Sequence, residues 1–94
     1  MGSAAKITIY GSEHCSYCTA ARMLLKKKGL SYEDVLITQD PAKREEMERL
    51  TGRRKVPQIF IDDRPIGGFD ELYTLEQNGE LDRILDEPGA APDD

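Results

Sequence analysis

Hydrophobic and polar positions follow two different periods along this chain, and these periods predict where its strands and helices lie. Residues 6–10 alternate and include β-branched side chains, which predicts a buried strand. Residues 16–28 carry apolar side chains on one helical face, and Gly29 follows as a residue typical of a helix end. Residues 30–37 predict a second strand. Since a helix joins the two strands, we expect them to run parallel.

The middle of the chain predicts a second helix followed by a β-hairpin. Asp40-Pro41 supplies residues suited to the N-cap and the first position of that helix. Residues 58–61 predict a strand, which a two-residue turn at Asp62-Asp63 connects to another strand over 64–67. Because Pro65 has no N–H to donate, we expect this last strand to lie at an edge of the sheet.

The last part of the predicted domain contains two more helices, over 71–77 and near 80–85. The predicted order is therefore strand, helix, strand, helix, strand, strand, helix, helix. We expect residues 6–86 to form one domain. Residues 1–5 resemble an expression scar or disordered start, and 87–94, poor in apolar side chains, predict a flexible tail.

Composition narrows the class of protein. The 94 residues are 33% charged and 38% hydrophobic, a balance typical of one soluble domain with a single core. The net charge of -5 argues against nucleic acid as the main partner. Neither a membrane-spanning apolar run nor a signal peptide is evident, so we expect a cytoplasmic protein with no membrane partner, although a trimmed organelle protein would look the same.

The chemistry of the chain is concentrated at its only two cysteines, Cys15 and Cys18. A strand precedes them and a helix follows, so Cys15 is expected at a helix start with Cys18 in the first turn. Unpaired N–H groups and the helix dipole there favour a thiolate over a thiol. Structural zinc normally needs four ligands, and these cysteines with the single His14 fall short. The motif therefore predicts a thiol–disulfide exchange site in a reducing compartment.

Three separated blocks carry a resemblance to a known family: Cys15-Ser16-Tyr17-Cys18, Val56-Pro57-Gln58-Ile59-Phe60, and Gly67-Gly68-Phe69-Asp70-Glu71-Leu72-Tyr73. With residues 43–47, they are similar to bacterial-type dithiol glutaredoxins. The resemblance covers roughly residues 6–86. It implies a thioredoxin fold, an α/β architecture in which helices flank a four-stranded mixed sheet.

The resemblance also implies a glutathione site. Pro57 would follow a cis bond and turn the backbone of Val56 toward Cys15, where it could pair with the ligand's cysteinyl residue. Next to Gly68, the N–H groups of Phe69 and Asp70 would bind the γ-glutamyl carboxylate. The carboxylate of Asp70 would face the ligand's ammonium group; its alternative role is a plain N-cap.

Two further side chains complete the implied site. Tyr17 would flank the ligand's sulfur, and Arg44 would contact the glycyl carboxylate, unless it is only a solvated helix charge. The chain departs from the family at four positions: Ser12 replaces a common lysine, Ser16 a proline, Lys55 a threonine, and Phe69 a cysteine or serine. Lys55 is a candidate substitute for the missing lysine charge.

The implied activity is glutathione-dependent reduction of protein disulfides and of protein–glutathione mixed disulfides. Cys15 would be the nucleophile and Cys18 the resolving thiol. One alternative is a dimer bridged by a [2Fe–2S] cluster, ligated by two Cys15 thiolates and two glutathione molecules; otherwise we expect a monomer without metal. The other alternative is a thioredoxin-like electron donor reduced by a flavoprotein reductase.

Overall fold

The computed structural model describes residues 6–86, so the predictions for 1–5 and 87–94 lie outside the described residues. Its elements follow the predicted order: β1 (Ile7–Gly11), α1 (Ser16–Lys27), β2 (Glu33–Leu36), a 3₁₀ turn (Ile37–Gln39), α2 (Pro41–Thr51), β3 (Gln58–Ile61), β4 (Arg64–Gly67), α3 (Phe69–Gln77) and α4 (Glu80–Asp86).

The four strands form one mixed sheet in the order β2-β1-β3-β4. β1 pairs with β2 in parallel and with β3 antiparallel, and β4 pairs antiparallel with β3. The predicted parallel pair and the edge position of the Pro65 strand are both confirmed. This is the predicted four-stranded mixed sheet flanked by helices.

The second strand is shorter than the predicted span 30–37, for two local reasons. The N–H of Leu30 donates to Leu25 O at 2.9 Å while Gly29 adopts a φ of 75°, so Leu30 belongs to the motif that ends α1. At the other end, Ile37 begins the 3₁₀ turn, and its carbonyl oxygen accepts the N–H of Asp40. Residues 30–32 and 37 therefore lie outside the strand.

Each face of the sheet buries its own cluster of side chains. One cluster joins β1 and β3 to α1, α3 and α4: Ile7, Ile9, Ala21, Leu25, Ile59, Ile61, Leu72 and Leu81. The other joins the same strands to α2: Tyr10, Ile37, Met47 and Phe60. Alternation along β1 explains this division, because successive side chains of a strand point to opposite faces.

α2 begins as its sequence predicts. The Asp40 side chain accepts the N–H of Ala42 at 3.1 Å, Pro41 occupies the first turn, and Gly52 ends the helix with a φ of 72°.

Within residues 6–86, no helix combines the length and apolar character needed to cross a membrane.

Candidate functional site

Cys15 lies at the N-cap of α1, the position predicted for it. Its backbone is extended, and its Sγ accepts the N–H of Cys18 at 3.2 Å. Its carbonyl accepts the N–H of Thr19 at 3.0 Å, which closes the first helical turn. The sulfur therefore receives a backbone donor at the positive end of a helix, an arrangement that stabilises negative charge on sulfur.

The two thiols are free and differ in their surroundings. Cys15 is half-buried, whereas Cys18 is completely buried, as predicted. Burial, followed by the hydrogen bond with Cys15, raises the pKa of Cys18 to about 11. Cys18 is therefore favoured in its protonated form, and Cys15 is the more accessible of the two sulfurs.

A groove of about 310 Å³ opens beside this helix start. It lies between the loop before β3 and the beginning of α3. Its lining residues are Tyr17, Arg53, Lys55, Val56, Pro57, Gln58, Gly68, Phe69, Asp70 and Glu71. The structure thus brings together six of the residues predicted to bind glutathione.

The loop before β3 closes the groove against Cys15. The Val56–Pro57 peptide bond is cis, as the resemblance implied. The carbonyl oxygen of Val56 lies 3.9 Å from Cys15 Sγ, at the outer limit of a thiol hydrogen bond. A Cβ on Gly68 would lie 3.2 Å from the carbonyl oxygen of Pro57, so the absence of a side chain lets α3 approach this loop closely.

The start of α3 shows that the alternative role of Asp70, a plain N-cap, is wrong. Gly68, not Asp70, is the N-cap, and Glu71 Oε1 accepts the N–H of Gly68 at 2.8 Å. Asp70 is the second residue of the helix, and its side chain is exposed at the groove. The N–H groups of Phe69 and Asp70 lie in the first turn, where no helical carbonyl can accept them.

Arg44 is not among the groove's lining residues in the described part of the chain. Its Nε lies 3.7 Å from Glu48 Oε2, one turn along α2, and Arg54 Nε lies 3.7 Å from the same oxygen. Arg53 and Lys55 line the groove instead. The sequence indicates Lys55 as a candidate because it replaces the family's threonine. For Arg53 the sequence offers no indication beyond its positive charge.

Comparison with known proteins places these features in a family. The glutaredoxin family model matches residues 7–66. Glutaredoxin 3 of Escherichia coli is 49% identical over 81 residues, which are 86% of this chain and 98% of that protein.

The chain belongs to the glutaredoxin family.

Two solved glutaredoxin structures share its fold. The solution structure of glutaredoxin from Brucella melitensis has a TM-score of 0.82 and 38% identity, covering 97% of this chain and 98% of that one. A buckwheat glutaredoxin–glutathione complex also has a TM-score of 0.82, with 27% identity over 94% of this chain and 83% of that one. Membership makes this glutaredoxin a thiol–disulfide oxidoreductase.

A row of aromatic rings borders the groove of this glutaredoxin and was not predicted as a unit. The ring centroids of Tyr17 and Phe69 are 6.2 Å apart, and those of Phe69 and Tyr73 are 5.7 Å apart. Tyr17 is 62% exposed. The contact between Phe69 and Tyr73 could have been predicted from their spacing, because residues four apart on a helix are neighbours on its surface.

No group of three or more His, Cys, Asp or Glu side chains that could hold a metal ion occurs among residues 6–86. The predicted [2Fe–2S] alternative needs two chains and two glutathione molecules. That alternative, which the resemblance suggested because Ser16 stands where a proline is usual, stays a prediction.

Proposed function

We propose that this glutaredoxin uses glutathione to reduce protein disulfides and protein–glutathione mixed disulfides. The observation that carries the proposal is the position of Cys15 Sγ at a helix start, 3.9 Å from the Val56 carbonyl that borders the groove. The groove has room for a small peptide. A related buckwheat protein that is described in complex with glutathione supports the same ligand.

The two ends of the groove suit the two ends of glutathione. At the α3 start, the N–H groups of Phe69 and Asp70 would bind the γ-glutamyl α-carboxylate, and the carboxylate of Asp70 would accept from the adjacent ammonium group. At the other end, Arg53 and Lys55 would attract the glycyl carboxylate. Arg44, which the resemblance implied for that carboxylate, would have to leave Glu48 to reach it.

Reduction of a glutathionylated protein begins at Cys15. Its thiolate attacks the glutathione sulfur, a bond forms between the two sulfurs, and the disulfide bond to the protein breaks. The protein leaves as a thiolate and takes a proton from water. A second glutathione thiolate then attacks the Cys15-bound glutathione, which releases glutathione disulfide and restores Cys15. The route therefore consumes one reduced glutathione, and the other half of the glutathione disulfide comes from the substrate.

Reduction of a protein disulfide needs Cys18 as well. Cys15 attacks one substrate sulfur, and the mixed disulfide that results joins Cys15 to the substrate. Cys18 then loses its proton and attacks Cys15 Sγ, so that Cys15–Cys18 closes and the substrate leaves with both sulfurs reduced. The high pKa of Cys18 keeps this second thiol protonated until the mixed disulfide has formed.

A coupled assay that follows NADPH oxidation tests the choice of electron donor. With a glutathionylated peptide as substrate, glutathione plus glutathione reductase should sustain turnover, and a thioredoxin reductase should not. Turnover with the thioredoxin reductase alone would contradict the proposal and favour the thioredoxin-like alternative. A buffer without this protein serves as the control for the uncatalysed reaction.

A further inference from the structure

Arg22 lies on α1 one turn after Cys18, and the mechanism above gives it no role. Its side chain is only 16% exposed. Nη2 donates to the carbonyl oxygen of Ser12 at 3.1 Å, and Nε lies 3.1 Å from Asp34 Oδ2 in β2. The guanidinium is therefore held between the loop that precedes Cys15 and the neighbouring strand.

Gly11 shows how close this charge lies to the buried thiol. A Cβ on Gly11 would be 3.0 Å from Cys18 Sγ and 3.2 Å from Arg22 Nη2. Both atoms border the same small space, so they are no more than about 6 Å apart. Because Gly11 has no side chain, none of its atoms fills that space.

Few groups in the described chain set the charge state of Cys18. Burial and the neighbouring Cys15 raise its pKa, whereas a backbone hydrogen bond from Ser12 and the charge of Arg22 lower it. Asp34 Oδ2 lies 3.1 Å from the Nε of the same guanidinium and forms an ion pair with it. Arg22 is thus the one cation among these groups, and its contacts with Ser12 and Asp34 hold it beside the thiol.

We propose that Arg22 is a positioning residue that stabilises the thiolate of Cys18 in the step that releases a substrate thiol from Cys15. The inference rests on the proposed function for its place in the reaction. In that step the proton of Cys18 passes to solvent, its sulfur bonds to Cys15 Sγ, and the bond from Cys15 to the substrate breaks. Arg22 faces the negative charge before the new bond forms.

The first test is a titration of Cys18 as the sole thiol. In a Cys15→Ser background, which keeps an oxygen at the N-cap, the ultraviolet absorbance of the thiolate is followed against pH. Adding Arg22→Met should move the titration midpoint up by about one pH unit, the lower end of the effect of an opposite charge at this range. Arg22→Lys should keep most of the parental midpoint because it keeps the charge.

An unchanged midpoint in Arg22→Met, or an equal shift in Arg22→Lys, would overturn the proposal. Near-ultraviolet circular dichroism establishes that each variant is folded. If Arg22→Met does not fold, Arg22→Gln gives the neutral comparison. This titration needs no glutathione, so a failed proposal for Arg22 and a failed proposal for glutathione-dependent turnover give separable results.

The second test follows resolution itself. A mixed disulfide is prepared at Cys15 with a thiol reporter, and release of the reporter by Cys18 is timed. A one-unit rise in the pKa of Cys18 leaves about tenfold less thiolate at neutral pH, while the more basic thiolate is about threefold more nucleophilic. Arg22→Met should therefore release the reporter about threefold more slowly, with its pH profile displaced upward. A slower rate with an undisplaced profile would indicate a structural role only and contradict the inference.

Discussion

The starts of α1 and α3 meet at the same groove but use their unpaired N–H groups differently. At α1 the N-cap is Cys15, whose sulfur accepts the N–H of Cys18. At α3 the N-cap is Gly68, which has no side chain to accept any N–H of the first turn. One helix start therefore holds the sulfur proposed as the nucleophile, and the other leaves backbone donors to which the proposed anionic ligand could bind.

The two helix starts also differ in the burial of the acidic groups beside them. Behind the α1 start lies a completely buried thiol, Cys18, whereas the α3 start presents an exposed carboxylate, Asp70. A buried acid is held in its neutral form and an exposed one is free to carry charge. In the proposed function, a helix N-terminus would thus serve electron transfer on one side of the groove and ligand recognition on the other.

The largest expected effect on the free energy of unfolding comes from Cys18, on the α1 side of the groove, and is a loss of stability at high pH. The pKa of Cys18 is raised to about 11 by burial, from an ordinary value of 9.0. The unfolded chain therefore loses this proton first, and stability that is complete below about pH 9 falls as the pH rises to about 11. Two pKa units correspond to a loss of at most about 3 kcal/mol from this group, measured through the midpoint of urea unfolding.

Cys18→Ala is the control for that prediction. Tyr10 contributes in the same direction between its ordinary value of 10.0 and about 12, because burial and then its hydrogen bond to Glu46 raise the pKa of its hydroxyl. The alanine variant should keep the Tyr10 part and lose the Cys18 part. Equal pH dependence in the variant and the parent would show that Cys18 is not the group responsible.

A smaller effect is expected at the α3 side, from Asp70→Asn. The exchange keeps the size of the side chain and removes the negative charge proposed to face the ligand's ammonium group. We expect the dissociation constant for glutathione to rise about tenfold, or about 1.4 kcal/mol, by calorimetry. Asp63→Asn, in the exposed turn between β3 and β4, is the matched control and should leave binding unchanged. Equal affinities in the two variants would remove Asp70 from the site.

The smallest effect concerns the capping contact of α3. Glu71→Ala removes the acceptor of the Gly68 N–H, and we expect it to cost about 1 kcal/mol in the free energy of unfolding. Glu45→Ala, at an exposed position of α2, is the control. If both variants are equally stable in urea, the contact between Glu71 and Gly68 adds nothing to the helix start.

Local chemistry explains why much of the fold could be predicted from sequence. Asp40 and Pro41 mark a helix start through groups within three residues of each other, and Pro65 excludes a central strand by lacking an N–H. The family blocks added the cis bond at Pro57 and the approach of α3 to the groove. Each of these features depends on a residue and its immediate neighbours.

Features that depend on distant residues could not be predicted in the same way. The contact of Arg22 with Asp34 requires the register of β1 against β2, and its proximity to Cys18 requires Gly11 to lie beside both. The side chain of Arg44 lies beside Glu48, one turn along α2, and not among the described residues that line the groove. The shortening of the second strand at Leu30 is a local exception, because it depends on the hydrogen bond from Leu30 to Leu25 that ends α1.

The central claim is that Cys15 alone carries the first attack and Cys18 only the second. Turnover of a glutathionylated peptide, measured with glutathione and glutathione reductase, tests it in two variants. Cys15→Ser should fall to the uncatalysed rate, while Cys18→Ser should retain turnover because this substrate needs no resolving thiol. Retained turnover in Cys15→Ser, or its loss in a folded Cys18→Ser, would contradict the account.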